Sequence, residues 1–169
     1  MNTRLDSSSE FATLVNQLHC SPDDPVLKQA VVSRLPQMKA LAQKSPLALY
    51  RLAQVYPKSS TQYAEMMSKA ADLGCTNAML AACQFLVKTS RSDDFRKAAY
   101  YMLLIDQSAD SYIKQNSRSL LDNYPQLSEE MRLLQSSAVV QCASRFFTPS
   151  KTTESPEWSE THSYPDLGH

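Results

Sequence analysis

The side chains able to do covalent chemistry are few and badly placed for it. His19 is followed by Cys20, and Cys75, Cys83 and Cys142 stand far apart with no CxxC spacing. A thiol or hydroxyl becomes a nucleophile when a base sits within hydrogen-bond reach of it. Adjacent residues on a helix point in different directions, so His19 and Cys20 do not make such a pair. A strand-to-helix nucleophile elbow needs glycines around it, and the chain has two, Gly74 and Gly168. His19 would have to recruit distant cysteines or carboxylates to hold a metal; it reads as a helix-end histidine near the negative dipole pole. The acidic pairs Asp23-Asp24, Asp93-Asp94 and Glu129-Glu130 have the residue types of a general acid and base. Each pair opens a helical pattern, where carboxylates cap backbone N–H groups instead.

No catalytic residue, cofactor-binding residue or metal ligand is therefore assigned, no cofactor is expected, and the chain is read as not an enzyme. Tyrosine offers binding in place of catalysis, because it combines apolar area with a polar tip. Among Tyr50, Tyr56, Tyr63, Tyr100, Tyr101 and Tyr112, the first choices for a partner surface are Tyr50, Tyr63 and Tyr100, with most of the others expected in the core.

Those side chains have to be positioned by helices. Scarcely any stretch alternates apolar with polar, and Ala, Leu, Gln, Met and Lys abound, so the fold class is all-α with about seven helices. A chain of 169 residues that is 43% hydrophobic can bury a proper core. Lys plus Arg and Asp plus Glu each number 17, which leaves no net field to gather nucleic acid or anionic lipid. The longest apolar run, Ala98 to Ile105, is far short of the about 20 residues that cross a bilayer. With no apolar core after Arg4 and with cysteines read as small buried hydrophobes, folding in a reducing cytoplasm is expected.

Ser7 and Glu10 have capping-box spacing for a first helix over roughly Ser9 to Leu18. Asp24 and Pro25 start a second, whose stripe from Val26 to Leu41 is interrupted by Pro36, a residue that kinks or splits a helix. Ser45-Pro46 opens a short helix that Pro57 stops, and Ser59 or Ser60 caps another that runs to Leu73. Gly74 then supplies the left-handed residue that ends it. Further helices are expected over Asn77 to Lys88, Phe95 to Ile105, from Asp110 or Ser111 to the Tyr124-Pro125 step, and from Ser128 to Phe146. The organisation is an N-terminal helical segment (1–45), a repeat region with a closing helix (46–147) and a polar tail (148–169).

LALYRLAQVY from Leu47 matches NAMLAACQFL from Asn77, with Ala48 on Ala78 and Gln54 on Gln84, thirty residues apart. QYAEMMSKAA matches RKAAYYMLLI, with Ala64 on Ala98, thirty-four apart. A helix-turn-helix unit recurring at this period is the mark of an α-solenoid. The residues Ala48, Leu52-Ala53 and Tyr56, then Tyr63-Ala64, Lys69-Ala70-Ala71 and Gly74, then Asn77-Ala78, then Asp94, Lys97-Ala98-Ala99 and Tyr101 resemble the Sel-one-like repeats, relatives of the tetratricopeptide repeat. The form is degenerate: Ala53 stands where the family has glycine, and PKSS and KTSRS replace its glycine-rich loops. The resemblance implies a scaffold or adaptor that presents a concave helical surface to a protein. A helical bundle without repeat ancestry is the rival architecture.

The tail TPSKTTESPEWSETHSYPDLGH has the composition of a disordered segment and holds the single tryptophan, Trp158. Glu154, Glu157 and Glu160 are similar to the C-terminal signals of bacterial type IV secretion substrates, and Tyr164 to Leu167 looks like a tyrosine-x-x-hydrophobic sorting motif. Trp158, Tyr164 and Leu167 join the partner-binding candidates. The expected function is a protein-protein interaction module, a monomer with no nucleic acid partner and no membrane span. Its specific form is an effector translocated by type IV secretion. The alternatives are a small helical enzyme or ligand-binding bundle, and a structural subunit that self-associates through Met131 to Phe146.

Overall fold

The computed structural model describes residues 6–147, with side chains to residue 138. Among these residues the chain forms eight helices: α1 (Ser7–Cys20), α2 (Pro25–Ala42), α3 (Pro46–Ala53), α4 (Thr61–Asp72), α5 (Thr76–Leu86), α6 (Ser92–Gln107), α7 (Ser111–Asn123) and α8 (Pro125–Phe147). The fold is all-α. Tail residues 148–169, with Trp158, Tyr164 and Leu167, lie outside the described residues, as do the side chains of Cys142 and Phe146.

Side-chain caps set four of the eight helix starts, whereas α6 opens at Ser92 ahead of the acidic pair Asp93-Asp94, which does not cap it. Asp24 accepts from the N–H of Val26 at 2.8 Å and of Leu27 at 3.2 Å, with Pro25 in the position where its missing N–H costs nothing. Ser45, Ser60 and Asp110 accept from Ala48, Tyr63 and Ile113 in the same way. α1 departs from the capping-box expectation, because Asp6 is its N-cap and its side chain is engaged elsewhere. The Ser8 hydroxyl donates to Asp6 at 2.5 Å, and the Arg51 guanidinium donates to the Ser8 hydroxyl and pairs with Asp6 at 3.5 Å. This ties α1 to α3. The expected start of α8 at Ser128 moves back to Pro125, which follows the extended Tyr124.

Pro36 neither splits α2 nor ends it. The Pro36 nitrogen carries no hydrogen to donate to the carbonyl of Val32, four residues earlier, and Val32 is 57% exposed. On the solvent face that carbonyl is open to water in place of the missing donor, so the helix can continue.

Gly74 has φ +98°, and its environment leaves nothing within 4 Å of a would-be Cβ. The glycine is needed for its backbone angle and not for close approach. Its N–H donates to the Ala71 carbonyl at 2.9 Å and the Cys75 N–H to the Ala70 carbonyl at 3.0 Å, the two bonds of a Schellman cap. Cys75 and Ala70 are both buried beside it, completing the apolar contact of that cap.

Each helix packs on the next, from α1 through α6, and α6 then takes most of α8. α1 touches α3, α3 touches α5 and α5 touches α7, so these four form one layer. α2, α4, α6 and α8 lie behind them. The burial of α3 recurs in α5 thirty residues later: Ala48, Leu49, Leu52 and Ala53 are buried, and so are Ala78, Met79, Ala82 and Cys83. Ala53, Ala70, Ala78, Ala82, Ala98 and Ala99 are wholly covered, which lets neighbouring helices close on one another, while Phe11, Met38, Met67, Tyr101 and Met102 fill the volume between them.

Candidate functional site

The layer of α3, α5 and α7 carries an open groove of about 390 Å³ on its solvent side. α3 contributes Tyr50; α5 contributes Asn77, Leu80, Ala81 and Gln84; α7 contributes Tyr112, Asn116 and Ser119 around a floor that includes Ile113. The spacing is helical. Asn77, Ala81 and Gln84 follow one side of α5, and Tyr112, Asn116 and Ser119 one side of α7. Their inward neighbours Ala78, Ala82 and Ile113 are core residues, which fixes the direction in which each groove side chain points. The Thr76 hydroxyl donates to Asp110 at 3.1 Å, joining the N-terminal ends of α5 and α7 and holding the two helices in register.

The lining carries no charged side chain, in a chain that is 20% charged. Its polar groups are amides and hydroxyls, each able to donate and accept. Tyr50 is half-buried, and burial raises its hydroxyl's ionisation above the usual range, with Cys75 and Tyr112 adding to the effect and Arg51 opposing it. It stays a neutral phenol at any ordinary pH. Tyr112 is 71% exposed at the lip.

The tyrosines expected at a partner surface divide. Tyr50 lines the groove. Tyr63, on α4, is 6% exposed, and its hydroxyl is raised by burial and by nearby Tyr50, so it packs inside. Tyr100, on α6, is exposed but lies outside the groove, its ring 6.2 Å from that of Tyr101. Neither can meet a ligand bound between α3 and α7. Asn77, Asn116 and Ser119 were not singled out from sequence as binding residues, because short polar side chains on a helix look like any solvated face until the neighbouring helix is in place.

Cys20, expected to be buried, is exposed at the end of α1, while Cys75 and Cys83 are buried thiols. Burial pushes the Cys83 thiol up to about 12, and its hydrogen is donated to the Ala98 carbonyl at 3.3 Å. Burial likewise raises Cys75, against smaller opposing hydrogen bonds from Ala78 and Asn77. Both are thiols, not thiolates. Tyr101 is buried, and its hydroxyl donates to Asp72, which also pairs with Lys97 at 3.8 Å. Lys97 lies 5.5 Å from the centre of the Tyr101 ring. This cluster pins α6 to the end of α4 and leaves no free base. Ser8 and Ser117 are the buried polar residues among those described; the Ser8 hydroxyl donates to Asp6, and that of Ser117 to the Lys114 carbonyl. Among the described residues no three His, Cys, Asp or Glu side chains converge on a point, and no helix is long and apolar enough to cross a membrane.

Family models, curated proteins and solved structures were compared with the chain, and none matches.

Proposed function

We propose that this protein is a non-enzymatic interaction module, a degenerate Sel-one-like repeat protein that holds an extended segment of another protein in the groove of α3, α5 and α7. The observation that carries the reading is the uncharged lining of tyrosine, asparagine and glutamine spread over three helices of one layer. Side-chain amides can pair with the N–H and C=O groups of an extended main chain, which a folded surface does not offer. The apolar floor of Leu80, Ala81 and Ile113 receives one small or aromatic side chain of the guest. A phosphate polymer or an acidic peptide would find no cation there. The small-enzyme alternative asks for a buried cluster of converging polar groups; the polar groups that converge here are open to solvent.

Selection of a displayed random-peptide library on the protein tests this, with the Asn77→Ala/Asn116→Ala double variant as counter-target. Peptides that bind the wild type and lose at least about tenfold in affinity to the variant, equivalent to about 1.4 kcal/mol, support the groove. Enrichment of nothing, or of peptides indifferent to the variant, overturns it.

The narrower form of the proposal, an effector exported by type IV secretion, rests on Glu154, Glu157 and Glu160. A translocation reporter fused to the full chain and to residues 1–147 tests it: transfer by the full chain alone supports the signal, and transfer by neither or by both removes it.

A further inference from the structure

The groove and the tail are brought to the same end of the molecule by the course of α8. Ser90, Ser92 and Phe95 at the start of α6 share a surface depression with Gln126, Glu129 and Glu130 at the start of α8. The Phe95 and Tyr124 rings meet edge to face at 6.5 Å across the same corner. The starts of the two helices meet at this corner and the helices pack along each other, so they run in the same direction. α6 has 16 residues and α8 has 23, about 24 and 34 Å at 1.5 Å per residue. α8 therefore passes the end of α6, the end from which Ser108 to Asp110 lead straight into α7 and its Tyr112. Asn77 stands at that end too, because Thr76 and Asp110 bond there.

We propose that residues 148–169 fold back so that the stretch around Trp158 occupies the groove of α3, α5 and α7 in the same chain. This inference rests on the groove being a peptide site. Trp158 stands about eleven residues beyond Phe147, a reach of roughly 36 Å at about 3.3 Å per residue, against the roughly 20 Å of two packed helix layers between α8 and the solvent side of the front layer. The segment suits the lining. Pro149, Pro156 and Pro165 favour extended backbone, whose polar groups then need partners such as Asn77, Gln84 and Asn116. Trp158 brings a large apolar ring with one N–H donor to a floor of Leu80, Ala81 and Ile113 between two tyrosines. Glu154, Glu157 and Glu160 meet no carboxylate among the lining residues. A tether of this length holds its segment at about millimolar effective concentration, so even a weak docking competes with an outside peptide.

Trp158 is the chain's single tryptophan, so its fluorescence reads the tail without a label. Acrylamide quenching is measured on the full chain, on Tyr112→Ala and Asn116→Ala in the full chain, and on a 148–169 peptide, with circular dichroism confirming that the variants stay folded. Quenching several-fold slower in the full chain than in the peptide, restored to the peptide's rate by either variant, supports the proposal. Equal quenching in chain and peptide overturns it, as does protection that both variants leave intact. Protection that disappears on dilution assigns the tail to a second copy and overturns docking within one chain. A library-selected peptide titrated into the same samples separates the two readings: if it binds while Trp158 is unprotected, the tail proposal alone fails, and if neither occupies the groove, the groove reading fails with it.

Discussion

Two faces of this molecule use tyrosine in opposite ways. In the groove, Tyr50 and Tyr112 stand beside amides with no charged side chain in the lining, and their hydroxyls face the open groove. Between α4 and α6, Tyr101 is 1% exposed, its hydroxyl is consumed by Asp72 and its ring lies beside the Lys97 ammonium. The first arrangement leaves bonding capacity unspent, whereas the second spends it on joining two helices whose backbones scarcely touch. A tyrosine's role here follows from whether its hydroxyl already has a partner.

The comparison is broken most strongly at Tyr101. Tyr101→Ala removes a large, fully covered side chain and is expected to cost about 3–5 kcal/mol in urea unfolding, with helix content falling at ordinary temperature. Tyr101→Phe keeps the volume and loses only the bond to Asp72, whose exposed carboxylate water can solvate, so about 1 kcal/mol is expected. If the two variants were equally damaging, the hydroxyl and not the packing would be the pin.

Next in size is the close approach of small residues. Ala78→Leu or Ala98→Leu forces a larger side chain between wholly covered helices and is expected to destabilise by about 1–3 kcal/mol in the same assay. Gly74→Ala is expected to cost about 1 kcal/mol, entirely through the left-handed backbone angle, since no atom stands in the way of a Cβ. Gly74→Asn, which tolerates that angle better, should recover part of the loss. Equal losses would argue that the corner is held by something other than its φ.

Alkaline pH sharpens the contrast through Cys83. Its folded-state value is raised from 9.0 to about 12, so the neutral thiol is the form that the folded state favours. Stability from this group is fully present below pH 9 and falls as pH rises from about 9 towards 12, by at most about 1.4 kcal/mol per pH unit. Cys83→Ala should flatten that part of a pH-stability curve. Smallest in stability are the groove variants: Tyr112→Ala and Asn116→Ala are expected to shift unfolding by no more than about 0.5 kcal/mol while changing what the groove binds.

Much of the fold could be read locally. Asp24, Ser45, Ser60 and Asp110 cap where their side chains can reach a nearby N–H, a decision made within three residues. Gly74 was legible for the same reason, as was the recurrence of Ala48 and Ala78. The course of α2 through Pro36 was not, because it depends on whether the Val32 carbonyl meets water. The groove was half legible. Tyr50 was named with Tyr63 and Tyr100, and all three are the same residue type on amphipathic helices, so nothing local separates the one that lines the groove from the one in the core. Met131 and Leu134, part of the stripe that the sequence offers for self-association, are half-buried against the core, while Leu133 is exposed.

The sequence by itself determined the all-α class, the caps at Asp24, Ser45, Ser60 and Asp110, the corner at Gly74 and the zero net charge, because these follow from backbone angles, nearby hydrogen bonds and counted charges. Only the tertiary structure decided that α8 lies along α6, that Tyr101 closes on Asp72, and that uncharged side chains from α3, α5 and α7 form one groove. Those outcomes join residues far apart in the chain, and burial, which sets the value of a hydroxyl, amide or thiol, exists only once the helices have packed.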